Sequence, residues 1–293
     1  MTIFQTDLRA SGRGQTERAT VPALEITDVA KRFVGRNGAT IVAVEKTNLA
    51  IESGEFVTIV GPSGCGKSTL LNLMSGLTRP SEGTMRFNGT VIQGVSRHIG
   101  YITQQDNLMP WRTIKDNVAF PLEVTGVPKS ERYPRALEWL ERVGLGGFEE
   151  AYPHELSGGM RQRANIVRTL IYEPDILLMD EPFGPLDAQT RLVLQHDLLD
   201  IWRSTNKTIV FVTHDLTEAI ALADRVILMS ARPGRIARID TVPIPRPRDI
   251  FHIHSEAGFR ELYDEIWNDL ETQVTARPQA KANAPAATGR RTG

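Results

Sequence analysis

The sequence has few of the features that mark secreted, metal-caged or membrane-spanning proteins. Cys65 is the only cysteine among 293 residues, which excludes an intrachain disulfide and a cysteine-based metal cage and fits a reducing, cytoplasmic setting. No stretch approaches the roughly 20 consecutive apolar residues that a membrane-spanning helix needs. If the protein works at a membrane, we therefore expect another chain to cross it.

Neither sign of charge is in excess. The 34 Lys and Arg residues nearly balance the 35 Asp and Glu residues, which leaves a net charge of −1 and no overall basic field to attract nucleic acid. Residues 1–22 are polar and lack an apolar block, so we expect a disordered extension and not a secretory signal. Residues 275–293 are rich in Ala, Pro and Arg, and we expect a disordered basic tail there.

The most specific pattern in the chain lies between Phe56 and Gly76. An apolar run, a glycine-rich turn and a second apolar pattern at helical spacing predict a strand, a loop and a helix. Across the turn the sequence reads G-x-x-x-x-G-K-S, a pattern that binds nucleotide phosphates. The alternative is a glycine-rich turn with an accidental lysine. Such a turn would not need a strand before it and a helix after it, and both are predicted here. We assign nucleotide binding to Gly61, Ser63, Gly64, Cys65, Gly66, Lys67, Ser68 and Thr69.

The residue types in this loop suit a nucleoside triphosphate. The glycines let backbone N–H groups converge on a phosphate, Lys67 reaches the β- and γ-phosphates, and Ser68 offers its hydroxyl to Mg²⁺. Thr69 adds a hydroxyl at the helix N-terminus, where the helix dipole also favours anions. Because Cys65 stands inside the loop, we expect a thiol reagent to alkylate it with loss of nucleotide binding, and the nucleotide to protect it.

The rest of the chain alternates strands with helices, which predicts a mostly parallel sheet. Before the phosphate loop, alternating apolar residues from Leu24 to Ile51 predict antiparallel strands. Residues 110–144 have helical character and are interpreted as an insertion. Past Gly234 the apolar signal weakens. Further helices are predicted at residues 161–172, 189–203, 216–223 and 259–270, and further strands at 84–87, 91–92, 99–103, 176–179, 208–212 and 226–229.

Residues 22–272 resemble the ATPase subunit of an ATP-binding cassette (ABC) transporter. The LSGGQ signature of that family occurs here as LSGGM, from Leu156 to Met160. A serine-glycine loop that opens a helix is an anion site on physical grounds alone. In the family, the residues matched by Ser157, Gly158 and Gly159 contact the γ-phosphate of ATP bound to the opposite subunit. The resemblance therefore implies a homodimer with two shared sites.

The segment ILLMDEP, residues 176–182, resembles the Walker B segment of the same family. A carboxylate at the C-terminal end of a buried strand beside the phosphate loop is well placed to hold Mg²⁺, and we assign that role to Asp180. The resemblance makes Glu181 the general base that polarises the attacking water. Two acids that merely cap the next turn are the alternative interpretation, against which the four preceding apolar residues and Pro182 argue.

Two further positions match catalytic elements of the family. Gln104 lies seven residues before Trp111, which is the spacing of the Q-loop glutamine that reaches Mg²⁺ and the attacking water. His214 ends a predicted strand and matches the switch histidine that hydrogen-bonds the γ-phosphate. A lone histidine is more often structural, but the position of His214 after a core strand favours the catalytic role.

Two more matches concern the dimer and the base of the nucleotide. Asp187 matches the D-loop aspartate that links the two sites, although Pro185 stands where the family usually has a small residue. Proline fixes φ and removes an N–H donor, so we expect altered coupling between the sites but not an inactive protein. Phe33 occupies the place of the aromatic residue that stacks on adenine, and a role as a core strand residue is nearly as good an interpretation.

The resemblance implies an α/β fold, with the parallel sheet of a P-loop NTPase (RecA-like) core, an antiparallel β subdomain and a helical subdomain. We expect the ATPase domain at residues 23–240, with the helical subdomain at about 110–165. A C-terminal extension with a helix is expected at residues 241–274.

The residues within these motifs are most similar to those of the importer ATPases of the nitrate, sulfonate and taurine group. This resemblance implies a subunit that binds and hydrolyses ATP with Mg²⁺ and powers the uptake of a small solute. Its expected partners are a second copy, a permease contacted near Gln104 and the helical subdomain, and indirectly a solute-binding protein, with no nucleic acid. The expected location is the cytoplasmic face of the inner membrane, as a peripheral subunit.

Three other classes remain as alternatives. A soluble cassette ATPase that acts on DNA or ribosomes, uncoupled from transport, usually carries two cassettes, coiled coils or zinc modules. A P-loop kinase needs no serine-glycine signature, and a GTPase should carry an N-K-x-D motif, which the sequence lacks. A regulatory cassette without hydrolysis does not fit the presence of Glu181 and His214. No residue of such a subunit contacts the transported solute, so the sequence does not reveal the substrate.

Overall fold

The computed structural model describes residues 21–35 and 38–275. The disordered extensions expected at the two ends fall almost entirely outside these ranges. The strands are β1 (Leu24–Val34), β2 (Thr40–Ile51), β3 (Phe56–Val60), β4 (Glu82–Phe87), β5 (Thr90–Val91), β6 (Ile99–Ile102), β7 (Ile176–Asp180), β8 (Thr208–Val212), β9 (Arg225–Met229) and β10 (Ile236–Thr241). The α-helices are α1 (Lys67–Met74), α2 (Ile114–Val124), α3 (Lys129–Arg142), α4 (Gly158–Leu170), α5 (Ala188–Thr205), α6 (Leu216–Leu222) and α7 (Phe259–Thr275). Short 3₁₀ helices occupy Pro153–Glu155 and Ile250–Ser255.

A six-stranded sheet forms the centre, in the order β10-β9-β3-β8-β7-β6. The five strands from β9 to β6 run parallel, and β10 pairs antiparallel with β9 at the edge. Every residue of β3 and β8 is buried, as expected for parallel strands covered on both faces. Because parallel strands end at the same edge, the segments that follow β3, β7 and β8 are brought together there.

The second sheet is antiparallel and has the order β2-β1-β4-β5. Its inner face shares a hydrophobic core with α1 and one face of the central sheet, where Ile26, Leu71 and Ile227 belong to one buried cluster. The other face of the central sheet is covered by α5, α6 and α7, and α7 contributes Phe259, Leu262 and Ile266 to that core. The antiparallel strands predicted from the alternating pattern are therefore confirmed.

The helical part has a hydrophobic core of its own. This cluster joins α2, α3 and α4 through residues such as Val118, Leu140 and Val167. Its members extend from Leu108 to Tyr172, which is slightly beyond the expected limits of about 110–165. Within the described residues, no helix has both the length and the apolar character needed to cross a membrane.

Some element limits differ from the sequence predictions for physical reasons. Helix α4 begins at Gly158 rather than at residue 161, because the Ser157 side chain caps it by accepting a hydrogen bond from the Met160 N–H. Strand β10 was not predicted, because its residues are alternately exposed and half-buried on an edge strand and carry little apolar signal. Helix α7 extends five residues beyond its predicted end.

Candidate functional site

The phosphate loop connects β3 to α1 and folds around its own lysine. Lys67 is the first residue of α1 and is 7% exposed. Its ammonium donates hydrogen bonds to the carbonyls of Gly61 at 2.8 Å and Pro62 at 3.3 Å. Gly66 has a φ of +112°, and a Cβ there would lie 2.7 Å from the Ala43 carbonyl oxygen, so only glycine fits. The loop thus holds one cation at the helix N-terminus, an arrangement suited to phosphate.

The Walker B aspartate lies next to this loop. The hydroxyl of Ser68 donates a hydrogen bond to Oδ1 of Asp180 at 3.1 Å. Burial raises the pKa of Asp180 above its ordinary value, while the hydrogen bond from Ser68 acts in the opposite direction. The hydroxyl of Tyr101 also interacts with Asp180, and burial raises its pKa. A hydroxyl and a carboxylate therefore meet at the end of β7, where two of the expected metal ligands were placed.

Glu181 and His214 meet across the carboxyl edge of the sheet. Nδ1 of His214 lies 3.0 Å from Oε2 of Glu181. The backbone of Glu181 has a φ of +46°, a left-handed conformation that costs a non-glycine residue about 1–3 kcal/mol and is common at functional sites. Its N–H donates to the Val212 carbonyl at 3.0 Å, so β8 holds the strained residue in place.

A cavity of about 240 Å³ lies over the phosphate loop. It combines the loop with Glu181, as the sequence predicts. Two lining residues, Ala43 and Arg232, were missed, because they belong to no motif and lie far from the loop along the chain. The cavity is lined by Ala43, Ser63, Gly64, Gly66, Lys67, Ser68, Thr69, Glu181 and Arg232.

Gly158 of the signature lies at a different cavity, of about 410 Å³. A Cβ on Gly159 would lie 2.6 Å from Cγ2 of Thr190, at the start of α5. Gln104 also lines this second cavity and not the first one. The structure thus separates the signature from the phosphate loop of the same chain. The second cavity is lined by Gln104, Gln105, Asp106, Asn107, Gly158, Arg161, Gln162, Pro182, Pro185 and Leu186.

Two arginines of α4 bind the segment that follows Gln104. Nε of Arg161 donates to Oδ2 of Asp106 at 3.0 Å. The Arg168 guanidinium donates to the carbonyls of Asp106 at 3.0 Å and Asn107 at 2.8 Å. The signature helix and this segment are thereby joined, a connection that the sequence does not reveal.

The D-loop is joined to the switch loop within one subunit. Asp187 caps α5 by accepting a hydrogen bond from the Thr190 N–H at 3.0 Å, and this bond lowers the pKa of the Asp187 carboxyl. Arg191, one turn later, donates to the Leu186 carbonyl at 3.1 Å and to Oδ2 of Asp215 at 3.5 Å. Since Asp215 follows the switch histidine directly, Arg191 connects the two loops.

A buried carboxyl group supports the switch loop from below. Glu218 is 6% exposed, and its two oxygens accept hydrogen bonds from the Thr213 hydroxyl and from Nε2 of Gln195, the latter at 2.9 Å. Burial is the main cause of the raised pKa of Glu218. The Thr213 hydroxyl in turn accepts from the Asp215 N–H at 3.0 Å, so the residues on both sides of His214 are held.

The exposure of Phe33 and of Cys65 bears on two expectations drawn from the sequence. The Phe33 side chain is 44% exposed, with the Lys31 ammonium 5.0 Å from its ring centroid. It is therefore not a core residue, and stacking on adenine stays a prediction. Cys65 is 1% exposed, and burial raises the pKa of its thiol although Lys67 opposes this. A buried thiol is hard to reach and to ionise, so alkylation of Cys65 requires opening of the loop, and the expected protection by the nucleotide stays a prediction.

The comparisons with known proteins agree with this geometry. The sequence profile described as "ABC transporter" matches residues 44–184. The chain is 48% identical over 238 residues to the uncharacterized ABC transporter ATP-binding protein MJ0412 of Methanocaldococcus jannaschii. The aligned region covers 81% of this chain and 88% of that protein. The chain belongs to the ABC transporter family. It is accordingly an ATPase subunit, and the assignment made from its motifs is confirmed.

Other relatives of this ABC ATPase carry more specific names. It is 43% identical over 265 residues to the nitrate import ATP-binding protein NrtD of Synechocystis, covering 89% of this chain and 99% of that protein. It is 42% identical over 250 residues to the aliphatic sulfonates import ATP-binding protein SsuB of Bacillus cereus, and the aligned region covers 85% of this chain and 96% of that protein.

A solved structure confirms the fold. The ABC ATPase matches the dimeric structure of a post-hydrolysis state of the ATP-binding cassette MJ0796 bound to ADP and Pi, with a TM-score of 0.66 and 34% identity. The match covers 75% of this chain and 98% of that one. The P-loop NTPase core with its added antiparallel and helical parts is therefore the fold predicted from the sequence.

Proposed function

We propose that this ABC ATPase works as a homodimer that hydrolyses ATP with Mg²⁺ and powers the uptake of a small solute through a separate permease. The observation that carries the proposal is the convergence of Lys67, the Ser68–Asp180 pair and the Glu181–His214 pair at one edge of the sheet. These groups can neutralise phosphates, hold a metal ion and orient water, which are the needs of phosphoryl transfer to water.

The donor set near the phosphate loop fits Mg²⁺. The ion prefers oxygen ligands, often binds through only one or two carboxylates and fills its other positions with water and phosphate oxygens. Ser68 and Asp180 supply such oxygens, and Gln104 is proposed as a third protein ligand. When bound, the ion would neutralise charge on the β- and γ-phosphates. Within the subunit, Lys67 would bind the β- and γ-phosphates.

The water that attacks the γ-phosphate is oriented by Glu181 as general base. Its carboxylate accepts the proton of the water as the new bond to phosphorus forms and the bond to the ADP oxygen breaks. His214 holds the Glu181 carboxylate through its ring nitrogen and reaches the γ-phosphate. The strained backbone of Glu181 and its hydrogen bond to β8 fix the direction of the carboxylate before ATP arrives.

A dimer supplies what one subunit lacks over its phosphate loop. Gly158 of the signature lines a cavity different from the one above Lys67, and we propose that the signature residues Ser157, Gly158 and Gly159 complete the site of a second copy. Face-to-face closure of two copies around two ATP molecules would join the sites, and hydrolysis would reopen them. The dimeric arrangement of MJ0796 supports this proposal.

The permease is proposed to dock beside Gln104 and the helical part. Apolar side chains are exposed there, with Trp111 74% and Val124 69% exposed. A location at the cytoplasmic face of the membrane follows from such docking. The names of relatives that import nitrate and aliphatic sulfonates support a small anionic solute.

The catalytic part of the proposal is tested with Glu181→Gln and, as a matched control, Glu138→Gln on the exposed face of α3. ATP turnover should fall by about 10²-fold or more in Glu181→Gln, and light scattering should show a dimer that forms only with ATP and Mg²⁺. The control should behave like the wild type. Wild-type turnover in Glu181→Gln would show that the general base is wrong.

Coupling to transport is tested separately in cells. Cells with Glu181→Gln in the chromosomal copy should lose uptake of labelled nitrate or of a labelled alkanesulfonate, compared with cells that carry Glu261→Gln on the exposed face of α7, outside the helical part. If purified Glu181→Gln loses ATPase activity while both uptake rates stay normal, the importer proposal for these solutes fails. An importer of a different solute, or a cassette ATPase without transport coupling, would then be the better assignment.

A further inference from the structure

The turn between β9 and β10 packs directly against the phosphate loop. A Cβ on Gly234 would lie 1.9 Å from the Cys65 carbonyl oxygen, so no residue with a side chain fits at this position. The Gly234 N–H donates to the Ala43 carbonyl at 3.2 Å, and its own carbonyl accepts from the Glu45 N–H at 2.8 Å. The turn is thereby attached to both the phosphate loop and β2.

Hydrogen bonds within the turn fix its backbone. Ser230 is 5% exposed, and its hydroxyl lies 3.1 Å from the Ala231 carbonyl and 3.2 Å from the Pro233 carbonyl. The Arg235 N–H donates to the same hydroxyl at 3.2 Å, and the Ser230 N–H donates to the Arg235 carbonyl at 2.9 Å. These hydrogen bonds therefore fix the backbone from which the Arg232 side chain extends.

The Arg232 side chain lines the cavity over the phosphate loop together with Lys67 and Glu181. Its Nη2 atom lies 3.9 Å from the Cβ position of Gly64. Within residues 21–35 and 38–275, no hydrogen bond or ion pair involves the guanidinium. In contrast, Arg238 on β10 is bound to Asp240, Glu265 and Asp269. Among the described residues, Arg232 is thus a cation without an anionic partner that lines the cavity over the phosphate loop.

We propose that Arg232 binds the phosphate groups of the nucleotide held by its own subunit. Guanidinium stays charged at all relevant pH values and matches phosphate oxygens with two parallel N–H donors. Lys67 approaches the phosphates from inside the loop, whereas Arg232 reaches over Gly64 from the outside. The inference rests on the nucleotide site proposed above and adds a ligand from a segment that carries no nucleotide motif.

The test is a titration of the purified full chain with a fluorescent ATP analogue, followed by competition with ATP, ADP and AMP. Arg232→Ala should weaken ATP binding by about tenfold, as expected for loss of a hydrogen bond to a charged group. Arg232→Lys should recover part of this affinity, since lysine keeps the charge without the paired donors. The loss should be larger for ATP than for AMP.

The matched control is Arg235→Ala, which removes an exposed arginine of the same turn that does not line the cavity. It should bind ATP like the wild type. Equal losses in the two variants, or an Arg232→Ala affinity within twofold of wild type, would overturn the proposal. Normal ATP affinity with failed ATP-dependent dimerisation would also overturn it, because Arg232 would then act at the subunit interface.

A variant of Lys67 separates this inference from the site itself. Lys67→Ala should weaken ATP binding whether or not Arg232 contributes. If Lys67→Ala binds ATP as tightly as the wild type, the nucleotide site is wrongly placed, and the role of Arg232 there fails with it. If only Lys67→Ala is weakened, the site stands and the role of Arg232 is refuted.

Discussion

Nδ1 of His214 lies 3.0 Å from Oε2 of Glu181, so the residues that follow β8 and β7 are in contact at the edge of the sheet. We expect His214→Ala to lower ATP turnover by about 10²-fold, because the Glu181 carboxylate loses the group that orients it. ATP affinity should change by less than turnover. Steady-state kinetics and nucleotide titration would separate the two effects.

The control for the histidine is His154→Ala, an exposed residue that stacks on Tyr152 away from the cavity. It should keep wild-type turnover. Wild-type turnover in His214→Ala would contradict the catalytic role and leave only a structural one.

The buried Glu218 should be essential for stability as a hydrogen-bond acceptor. Glu218→Ala removes the acceptor of Thr213 and Gln195 and leaves two buried donors without a partner, which should cost about 2–4 kcal/mol of unfolding free energy. Glu218→Gln keeps the shape and an acceptor and should cost much less. Urea unfolding at pH 7 measures the unfolding free energy of both variants. Equal losses of unfolding free energy in Glu218→Ala and Glu218→Gln would contradict this prediction.

The raised pKa of Glu218 also predicts how the unfolding free energy changes with pH. Burial raises the pKa of Glu218 above its ordinary value of 4.5, so the folded chain holds this proton more strongly than the unfolded chain does. The unfolding free energy should therefore fall as the pH rises from about 4.5 through the raised pKa. Glu218→Gln should lack this part of the slope. Parallel slopes for the two proteins would contradict the assignment.

Gly234→Ala should disturb the phosphate loop although residue 234 lies outside it in sequence. The new Cβ would lie 1.9 Å from the Cys65 carbonyl oxygen, so the turn or the loop must move, at a cost of about 1–3 kcal/mol or more. ATP affinity should fall as well. Gly94→Ala is the control, because nothing lies within 4 Å of its Cβ position. If both variants melt at the wild-type temperature, the close packing is incorrect.

Cys65 should react slowly with thiol reagents in the folded chain. The thiol is 1% exposed and its pKa is raised by burial, so reaction requires opening of the loop and should be slowed by on the order of 100-fold relative to the unfolded chain. The rate at which a chromogenic disulfide reagent reacts, measured with and without urea, gives the ratio of the unfolded to the folded reaction rate. The double variant Ser63→Cys, Cys65→Ser places a thiol at an exposed position of the same loop and should react fast. A native rate equal to the unfolded rate would contradict the burial.

The chemistry-bearing positions were predictable because their signals are local. The phosphate loop is a run of neighbouring residues from Gly61 to Thr69, and Asp180, Glu181 and His214 each follow a short apolar strand. Parallel strands bring such ends to one edge, so a strand order was not needed to expect them near one another. The family resemblance added roles that spacing alone does not assign, such as those of Gln104 and Asp187.

By itself, the sequence determined the family, the α/β core and the loop residues proposed to bind phosphate, because these depend on short patterns and on the periodicity of strands and helices. Only the tertiary structure decided that Cys65 is buried, that Glu218 holds the switch loop and that Arg232 lines the phosphate cavity. Each of these depends on packing between segments distant in the chain, which no local pattern encodes. The close approach of Gly234 to Cys65 belongs to the same class, because it requires the folded positions of both backbones.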